Sequence, residues 1–260
     1  MNTIIPAINC HVGDDDCVRE HLAIIRDLSP QPSCIHIDIC DGIFTPHKTW
    51  NSPLAWKDFQ YTGGLEVHLM TEHPERIAEL WLQAGAQRII VHVETLIDVS
   101  GSVRHLEDGD VIDYLLQLCQ AYEATCMISS IPETPLVSIE PLLRRFQEFQ
   151  VLSVTPGFSG QHFLPLTLEK VSFLRSIKPH AWIEVDGGMN TETAVSALSS
   201  GVSALVSSSF IFSHSNPAVA YRMLCDIDPS AFSSTSGAVV KKSPAVQSKK
   251  RDGRSRSRSH

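Results

Sequence analysis

Polar and aliphatic side chains alternate in the run Ile35-His36-Ile37-Asp38-Ile39. The alternation recurs in two later runs, which read Leu65-Glu66-Val67-His68-Leu69-Met70 and Ile183-Glu184-Val185-Asp186. Successive side chains of a β-strand point to opposite faces, so each run has one polar face and one aliphatic face. Parallel strands ringed by helices enclose both faces, one against the helices and the other inside the ring. We therefore predict that the three runs are parallel strands around a polar lumen.

Strand signals and helix signals alternate along most of the chain. Apolar strand-like runs lie near residues 3–9, 34–39, 65–70, 88–93, 124–130, 149–154, 181–186 and 202–207. Apolar residues recur at helical spacing between them, for example over residues 111–122 and 139–146. Eight βα units, which together span roughly 225 residues, predict a single (β/α)8 TIM barrel of class α/β. An open doubly wound sheet is the alternative, but the segment after Ile8 lacks the glycine-rich turn of that fold.

The alternation stops near residue 226, and Ser, Lys and Arg dominate from Pro229 onward. We expect one barrel domain over residues 1–228 and a disordered basic tail over residues 229–260. Residues 230–260 contain eight Lys or Arg and one Asp, a charge of +7, whereas the whole chain carries −8. The residues before position 230 therefore carry a net charge of −15. Nucleic acid is for this reason not an expected partner of the barrel. The tail is either an arm for RNA or another acidic partner, or a solvated extension, which we favour.

Cysteine usage and the apolar runs indicate the compartment. The seven cysteines are scattered singly, at positions 10, 17, 34, 40, 119, 126 and 225. The odd count and the absence of a Cys-x-x-Cys motif argue against a disulfide framework and favour a reducing compartment. The chain has no signal-peptide pattern and no apolar run long enough to cross a membrane. We expect a cytoplasmic protein without a membrane partner.

Polar residues on the expected lumen faces form a candidate site for one divalent metal ion. The candidate ligands are His36, Asp38, His68 and Asp186. Imidazole and carboxylate groups suit zinc, iron(II), manganese or cobalt better than copper(I), and we prefer zinc. A single histidine in a strand is usually a core residue. Four imidazole or carboxylate side chains on strands that end at the same side of a barrel favour a set of metal ligands instead. His92 and Glu94 on the fourth strand either orient these ligands or form a polar pair in the core.

Small residues follow strands six, seven and eight. They allow the backbone amides to turn toward an anion, and the helix expected from about Leu164 adds its N-terminal dipole. Loops seven and eight of such barrels often hold phosphate, so we predict a phosphorylated substrate whose other end meets the metal. The expected substrate and phosphate contacts are His68, Gly157, Phe158, Ser159, Gly160, Gly187, Gly188, Ser208 and Ser209. Three ordinary turns are the alternative.

The chain resembles the ribulose-phosphate 3-epimerase family and its ketose-phosphate 3-epimerase relatives over roughly residues 3–213. The motifs are His36-Ile37-Asp38-Ile39-Cys40-Asp41-Gly42 with Phe44 and Pro46, Val67-His68-Leu69-Met70, Val91-His92-Val93-Glu94, Pro156-Gly157-Phe158-Ser159-Gly160-Gln161, and Glu184-Val185-Asp186-Gly187-Gly188 with Asn190. The resemblance implies a (β/α)8 barrel whose divalent metal is bound at His36, Asp38, His68 and Asp186. It also implies that Asp38 and Asp186 are the acid–base pair.

The chain departs from the family pattern inside the expected pocket. Ala7 stands where the family usually has a serine that contacts substrate, and Cys40 and Leu152 stand where it usually has methionine. Ser208 replaces the glycine of a Gly-Ser pair. None of these changes removes a metal ligand or an acid–base carboxylate. The pattern is that of a divergent member with an altered pocket.

The resemblance implies a metal-dependent isomerase that inverts carbon 3 of a ketose phosphate through an enediolate. D-ribulose 5-phosphate and D-xylulose 5-phosphate, of the pentose phosphate pathway, are the leading pair. One alternative is a 3-epimerase for another ketose phosphate, such as allulose 6-phosphate. Another is a catalytically weak barrel that binds a phosphosugar, and a homo-oligomer is left open. Phosphate-assisted decarboxylation is disfavoured because Asp38-Ile39-Cys40-Asp41 lacks the lysine of an Asp-x-Lys-x-x-Asp motif.

Overall fold

Eight parallel strands close into a barrel in the computed structural model, which describes residues 1–232 of the chain. The strands are β1 (Thr3–Ile8), β2 (Cys34–Cys40), β3 (Gly64–Met70), β4 (Arg88–His92), β5 (Thr125–Ser130), β6 (Glu148–Leu152), β7 (Trp182–Asp186) and β8 (Ala204–Ser207). Each strand pairs in parallel with the next, and β8 pairs with β1. The predicted (β/α)8 TIM barrel is confirmed.

Helices of unequal length connect the strands. They are α1 (Asp15–Arg26), α2 (Pro53–Trp56), α3 (Ala78–Gln83), α4 (Val93–Leu96), α5 (Val111–Ala121), α6 (Leu136–Ile139), α7 (Thr167–Ile177), α8 (Thr191–Ser199), α9 (Ser209–Phe212) and α10 (Pro217–Cys225). Short 3₁₀ helices lie at Lys57–Phe59, Pro74–Arg76, Glu140–Leu142 and Pro229–Phe232. A two-stranded hairpin, His105–Leu106 with Gly109–Asp110, precedes α5.

Two helix predictions differ from the structure. The helical spacing over residues 139–146 does not produce a continuous helix, because α6 ends at Ile139 and a 3₁₀ turn follows. Pro141 lacks the N–H that would continue an α-helix there. The helix expected from about Leu164 begins instead at Thr167. Leu164 donates its backbone N–H to the carbonyl of Ser153 (2.8 Å), and this bond holds the chain against the strand end.

Strand register places the polar residues inside the barrel. Asp38 pairs with His68 across β2 and β3, and His36 pairs with Glu66 one layer below. All four of these side chains are buried. The alternate aliphatic residues face the helices and belong to the main hydrophobic core, including Ile35, Ile37, Ile39, Leu65, Val67, Leu69, Ile183 and Val185. The period-two alternation therefore corresponds to a polar lumen inside an aliphatic shell.

Cys10 and Cys17 form a disulfide that the cysteine count did not predict. The cysteine count argued against a disulfide framework, and beside this one bridge the other five cysteines are free. Cys10 follows β1 and Cys17 lies in the first turns of α1. The chain reverses between these two elements and brings the two Cα atoms to 6.0 Å, a proximity that residue spacing alone does not reveal.

The described chain continues four residues past the predicted domain boundary. Pro229–Phe232 forms a 3₁₀ helix that lies beside α8. The expected disorder of the basic tail concerns residues that, apart from this turn, lie outside the described part of the chain. Within residues 1–232, no helix is both long enough and apolar enough to cross a membrane.

Candidate active site

Four polar side chains from β2, β3 and β7 converge at the carboxyl end of the barrel, and we call them the lumen cluster. The cluster consists of His36, Asp38, His68 and Asp186. Asp38 Oδ1 lies 3.1 Å from both His36 Nε2 and His68 Nδ1. Asp186 Oδ2 lies 3.6 Å from His68 Nδ1 and 3.9 Å from His36 Nε2. The structure therefore brings together all four residues predicted as metal ligands.

The spacing of these donor atoms fits a single divalent cation. Ligand atoms about 2.1 Å from a tetrahedral ion are about 3.4 Å apart, and nearby values apply to other geometries. The four imidazole–carboxylate separations in the lumen cluster run from 3.1 to 3.9 Å, and all the ligand atoms lie within 4.8 Å of one another. All four residues are buried, with at most 9% of their surface exposed. Two carboxylates and two imidazoles are also the donor set that zinc and the other intermediate cations prefer.

The two carboxyl groups of the lumen cluster differ in acidity. Burial raises the pKa of Asp186 to about 7, and the nearby charge of Asp38 adds to the effect. Burial would also raise the pKa of Asp38, but hydrogen bonds from His36 and His68 outweigh it and lower that pKa. Burial also lowers the pKa of the His68 imidazole to about 4. Two neighbouring carboxyl groups whose pKa values are shifted in opposite directions are typical of acid–base sites.

Below the lumen cluster, a buried ion-pair network orients His36. His36 Nδ1 lies 2.7 Å from Glu66 Oε1, so its Nε2 faces the cluster. Arg88 donates to the other oxygen of Glu66 (2.6 Å) and to Glu148 (2.7 Å). Burial, and then the charge of Glu66, raises the pKa of Glu184 to about 8. His36, Glu66 and Glu184 are themselves close enough to hold a metal, but the guanidinium already lies between the two glutamates, 4.0 Å from Glu184.

His92 contacts the lumen cluster from the side. Its Nε2 lies 2.8 Å from His68 Nε2, and its Nδ1 lies 3.1 Å from Glu94 Oε2. Glu94 in turn accepts hydrogen bonds from the Ile131 backbone N–H (3.0 Å) and the Thr134 hydroxyl. This chain holds the His68 ring with Nδ1 toward the two aspartates. Of the two interpretations of His92 and Glu94, the contacts favour ligand orientation.

A cleft at the carboxyl end of the strands joins the lumen cluster to the small-residue loops. Asp38 and Asp186 form part of its floor. Eight of the nine expected substrate and phosphate contacts line it: Gly157, Phe158, Ser159, Gly160, Gly187, Gly188, Ser208 and Ser209. The ninth, His68, lies in the cluster below. The lining ends at Gln161 on the β6 side, so α7, which begins at Thr167, contributes no lining residue.

Glycine is required where the loop after β7 turns. Gly187 and Gly188 both have positive φ, at +105° and +62°. A Cβ on Gly187 would lie 2.4 Å from Val154 Cγ2, and one on Gly188 would lie 2.6 Å from the backbone N of Phe163. The two residues therefore bring the backbone of this loop close to that after β6, which a side chain would prevent.

Asn9 is a site residue that the sequence did not single out. Its amide Nδ2 donates to Asp38 Oδ2 (3.0 Å) and to the Gly157 carbonyl (3.4 Å). One side chain thus connects the carboxylate of the lumen cluster to a small-residue loop. The available signal was its position, one residue after β1, at the strand end where barrel active sites form.

Comparison with known proteins identifies the class and then the family. A model of the ribulose-phosphate 3 epimerase family matches residues 19–212. Three curated relatives bear the name ribulose-phosphate 3-epimerase, the rice one as a cytoplasmic isoform: those of Mycobacterium bovis (31% identity, 73% of this chain, 80% of the relative), Oryza sativa subsp. japonica (33%, 70% and 77%) and Synechocystis sp. (34%, 72% and 78%). The chain is an isomerase that acts on carbohydrate, a ketose-phosphate 3-epimerase. It belongs to the ribulose-phosphate 3-epimerase family.

Solved structures show the same fold at low sequence identity. The chain is similar to 3-hexulose-6-phosphate synthase from Salmonella typhimurium, with TM-score 0.59, 14% identity, and coverage of 85% of this chain and 96% of that one. It is also similar to orotidine 5'-monophosphate decarboxylase from Sulfolobus solfataricus, with TM-score 0.56, 13% identity, and coverage of 86% and 96%. At these identities the likeness establishes the barrel fold and nothing about the reaction.

Proposed function

We propose that this epimerase interconverts D-ribulose 5-phosphate and D-xylulose 5-phosphate, using one divalent metal ion held by the lumen cluster. One observation carries the proposal: Asp38 and Asp186 line the same cleft as the small-residue loops after β6, β7 and β8. A ketose phosphate bound there has its phosphate at the loops and its carbonyl end at the carboxylates. The names of the relatives support ribulose phosphate as the sugar.

The reaction begins with loss of the proton on carbon 3, which is acidic because the neighbouring carbon is a carbonyl. Inversion requires one group that removes this proton and another that returns a proton to the opposite face of the planar enediolate. Asp38 and Asp186 suit these roles because they come from β2 and β7, on different sides of the lumen. Asn9 holds one oxygen of Asp38 in place, which fixes the direction of proton transfer. Each acid–base group contributes roughly 10²–10⁴ in rate.

His36, Asp38, His68 and Asp186 would hold the metal ion. When bound, a divalent cation supplies several kcal/mol of stabilisation to negative charge that develops on the substrate oxygens. Glu66 and His92 hold the two imidazole rings with their donor nitrogens toward the ion site. Zinc is the preferred ion, and iron(II), manganese and cobalt suit the same donors.

A 3-epimerase for a longer ketose phosphate, such as allulose 6-phosphate, is the second candidate. Three of the departures from the family pattern, Ala7, Leu152 and Ser208, line the cleft, so its shape differs from the usual one. A catalytically weak phosphosugar-binding barrel is the third, and the complete lumen cluster argues against it. We also propose a cytoplasmic location, which the name of the rice relative supports. Three further points stay predictions: the domain boundary after residue 228, the solvated tail without a role, and the homo-oligomer that is left open.

The direct test of this proposal is an epimerase assay of the purified, metal-reconstituted chain. We expect turnover of D-ribulose 5-phosphate with a kcat/KM at least tenfold above that for allulose 6-phosphate. The reverse preference would favour the six-carbon substrate, and no turnover of either sugar would favour the weak phosphosugar-binding barrel.

Metal content should depend on the lumen cluster. The chain reconstituted with manganese(II), which prefers oxygen and nitrogen to thiolate, is expected to contain one ion. His68→Ala should lose it because one of four donors and the partner of Asp38 are removed. Elemental analysis measures this, with the exposed His180→Ala as the matched control. Equal manganese in His68→Ala and wild type would contradict the ligand assignment.

Separate acid–base roles predict a face-specific pattern of hydrogen exchange. Asp38→Asn and Asp186→Asn should each lower epimerisation about 10²-fold or more. In deuterium oxide, each variant that retains metal should still exchange the carbon 3 proton of one epimer but not of the other, because one base remains. The exposed Asp58→Asn is the control. Exchange of both epimers in either variant would rule out the two-base mechanism.

Phosphate binding is best tested at Ser209, the first residue of α9. Ser209→Glu should raise KM about tenfold or more, because a like charge beside the phosphate costs over about 1.4 kcal/mol. Ser209→Ala, and Ser213→Glu at the far end of the same helix, should have much smaller effects. Gly187→Val is a poor test, since its Cβ would clash with Val154. If Ser209→Glu and Ser213→Glu have the same KM, the phosphate lies elsewhere.

A further inference from the structure

A second group of possible ligands lies outside the lumen, between the end of β1 and α1. The group consists of Cys10, Cys17 and His21, and we call it the thiol cluster. His21 Nδ1 lies 3.5 Å from Cys10 Sγ and 3.9 Å from Cys17 Sγ. Cys17 and His21 are four residues apart on α1, so their side chains share one face of the helix. The proposed epimerase mechanism uses none of these three residues.

The two sulfur–nitrogen distances of the thiol cluster match those of a tetrahedral zinc site. With Zn–S bonds of about 2.3 Å and Zn–N bonds of about 2.0–2.1 Å, a sulfur and a nitrogen ligand are about 3.6 Å apart. The two observed sulfur–nitrogen distances, 3.5 and 3.9 Å, lie on either side of that value. The two sulfur atoms, by contrast, are bonded to each other. They become zinc ligands only when that bond is reduced.

His21 presents its Nδ1 atom to the two sulfur atoms. The ring stacks on Phe212, with the two centroids 4.0 Å apart and the planes inclined by 28°. Packing therefore fixes the ring with Nδ1 toward the cysteines, and neutral imidazole is the form that binds metal.

We propose that the thiol cluster is a redox-gated metal site, which binds a thiophilic divalent cation such as zinc when the Cys10–Cys17 disulfide is reduced. A dithiol reductant transfers two electrons and two protons to the S–S bond, giving two cysteine thiols and the cyclic disulfide of the reductant. The cation then displaces both thiol protons to solvent and binds two thiolates and the imidazole nitrogen. Water completes the fourth position.

The thiol cluster lies directly behind the proposed active site. Cys10 follows Asn9, whose amide contacts both Asp38 and the Gly157 carbonyl. On the other side, Phe212 is the last residue of α9, whose first residue, Ser209, lines the cleft. Cys10 of the thiol cluster is therefore the neighbour in the chain of Asn9, whose side chain positions Asp38. A change in the redox or metal state of the cluster occurs next to that side chain.

Cobalt(II) titration of the full-length chain tests this proposal, because thiolate-to-cobalt charge transfer absorbs in the near ultraviolet and the lumen cluster contains no thiolate. Wild type reduced with a dithiol, then freed of it, should develop the band and bind one equivalent of cobalt more than oxidised wild type, which should show no band. Cys10→Ser and Cys17→Ser should abolish the band, and His21→Ala should weaken cobalt affinity at least tenfold. Cys119→Ser and His68→Ala, in α5 and in the lumen, should leave the band unchanged.

A second measurement needs no variant and so does not depend on how the substitutions fold. In reduced wild type, zinc should slow alkylation of Cys17 by iodoacetamide at least tenfold, and a chelator should restore the rate. Absence of the band in reduced wild type, an undiminished band in Cys17→Ser, or equal alkylation rates with and without zinc would each overturn the proposal. Each of these outcomes is independent of epimerase activity, so failure here is distinguishable from failure of the proposed function.

Discussion

Buried charge in the barrel lumen is the constraint on which the site depends. The buried ionisable side chains in this space include His36, Asp38, Glu66, His68, His92, Glu184 and Asp186. A buried charge that loses its partner costs about 3–5 kcal/mol, so each of these groups needs a counter-charge or a proton. Arg88 pairs with Glu66, burial favours the protonated form of Glu184, and His36 joins this layer to Asp38 above. The contacts of Glu66 with His36 and of His92 with His68 therefore orient the two imidazole ligands.

The same network makes the lumen suitable for a cation. Asp38 and Asp186 carry negative charge toward one point, and burial of Asp186 beside Asp38 makes its ionised form unfavourable without a positive partner. A divalent ion would supply that partner, and proton release would accompany its binding. Glu66 and Glu94 support the imidazoles from opposite sides, so the donor nitrogens do not have to reorient when the ion arrives. This arrangement is the basis of the proposed chemistry, whereas the loops above it are the proposed phosphate contacts.

Several features could be read from the residues alone because they depend on local periodicity. The alternation in β2, β3 and β7 indicated a polar lumen, and eight repeated βα signals indicated the closed barrel, as the register confirms. The glycines after β6 and β7 indicated loops that turn tightly. Local patterns failed where tertiary contacts compete with them. Leu164 bonds to Ser153 and α7 begins only at Thr167, and Pro141 interrupts the helix expected over residues 139–146.

The sequence by itself determined which side chains face the lumen, because strand period and strand order need no knowledge of the third dimension. It thereby determined the ligand types of the candidate metal site and the position of the small-residue loops. Only the tertiary structure decided that Asn9 contacts Asp38, that Arg88 lies between Glu66 and Glu184, and that Cys10 bonds Cys17 near His21. These contacts join residues of different strands, layers or helices. Their distances follow from how the barrel closes and how its first helix packs, which no short-range pattern in the chain encodes.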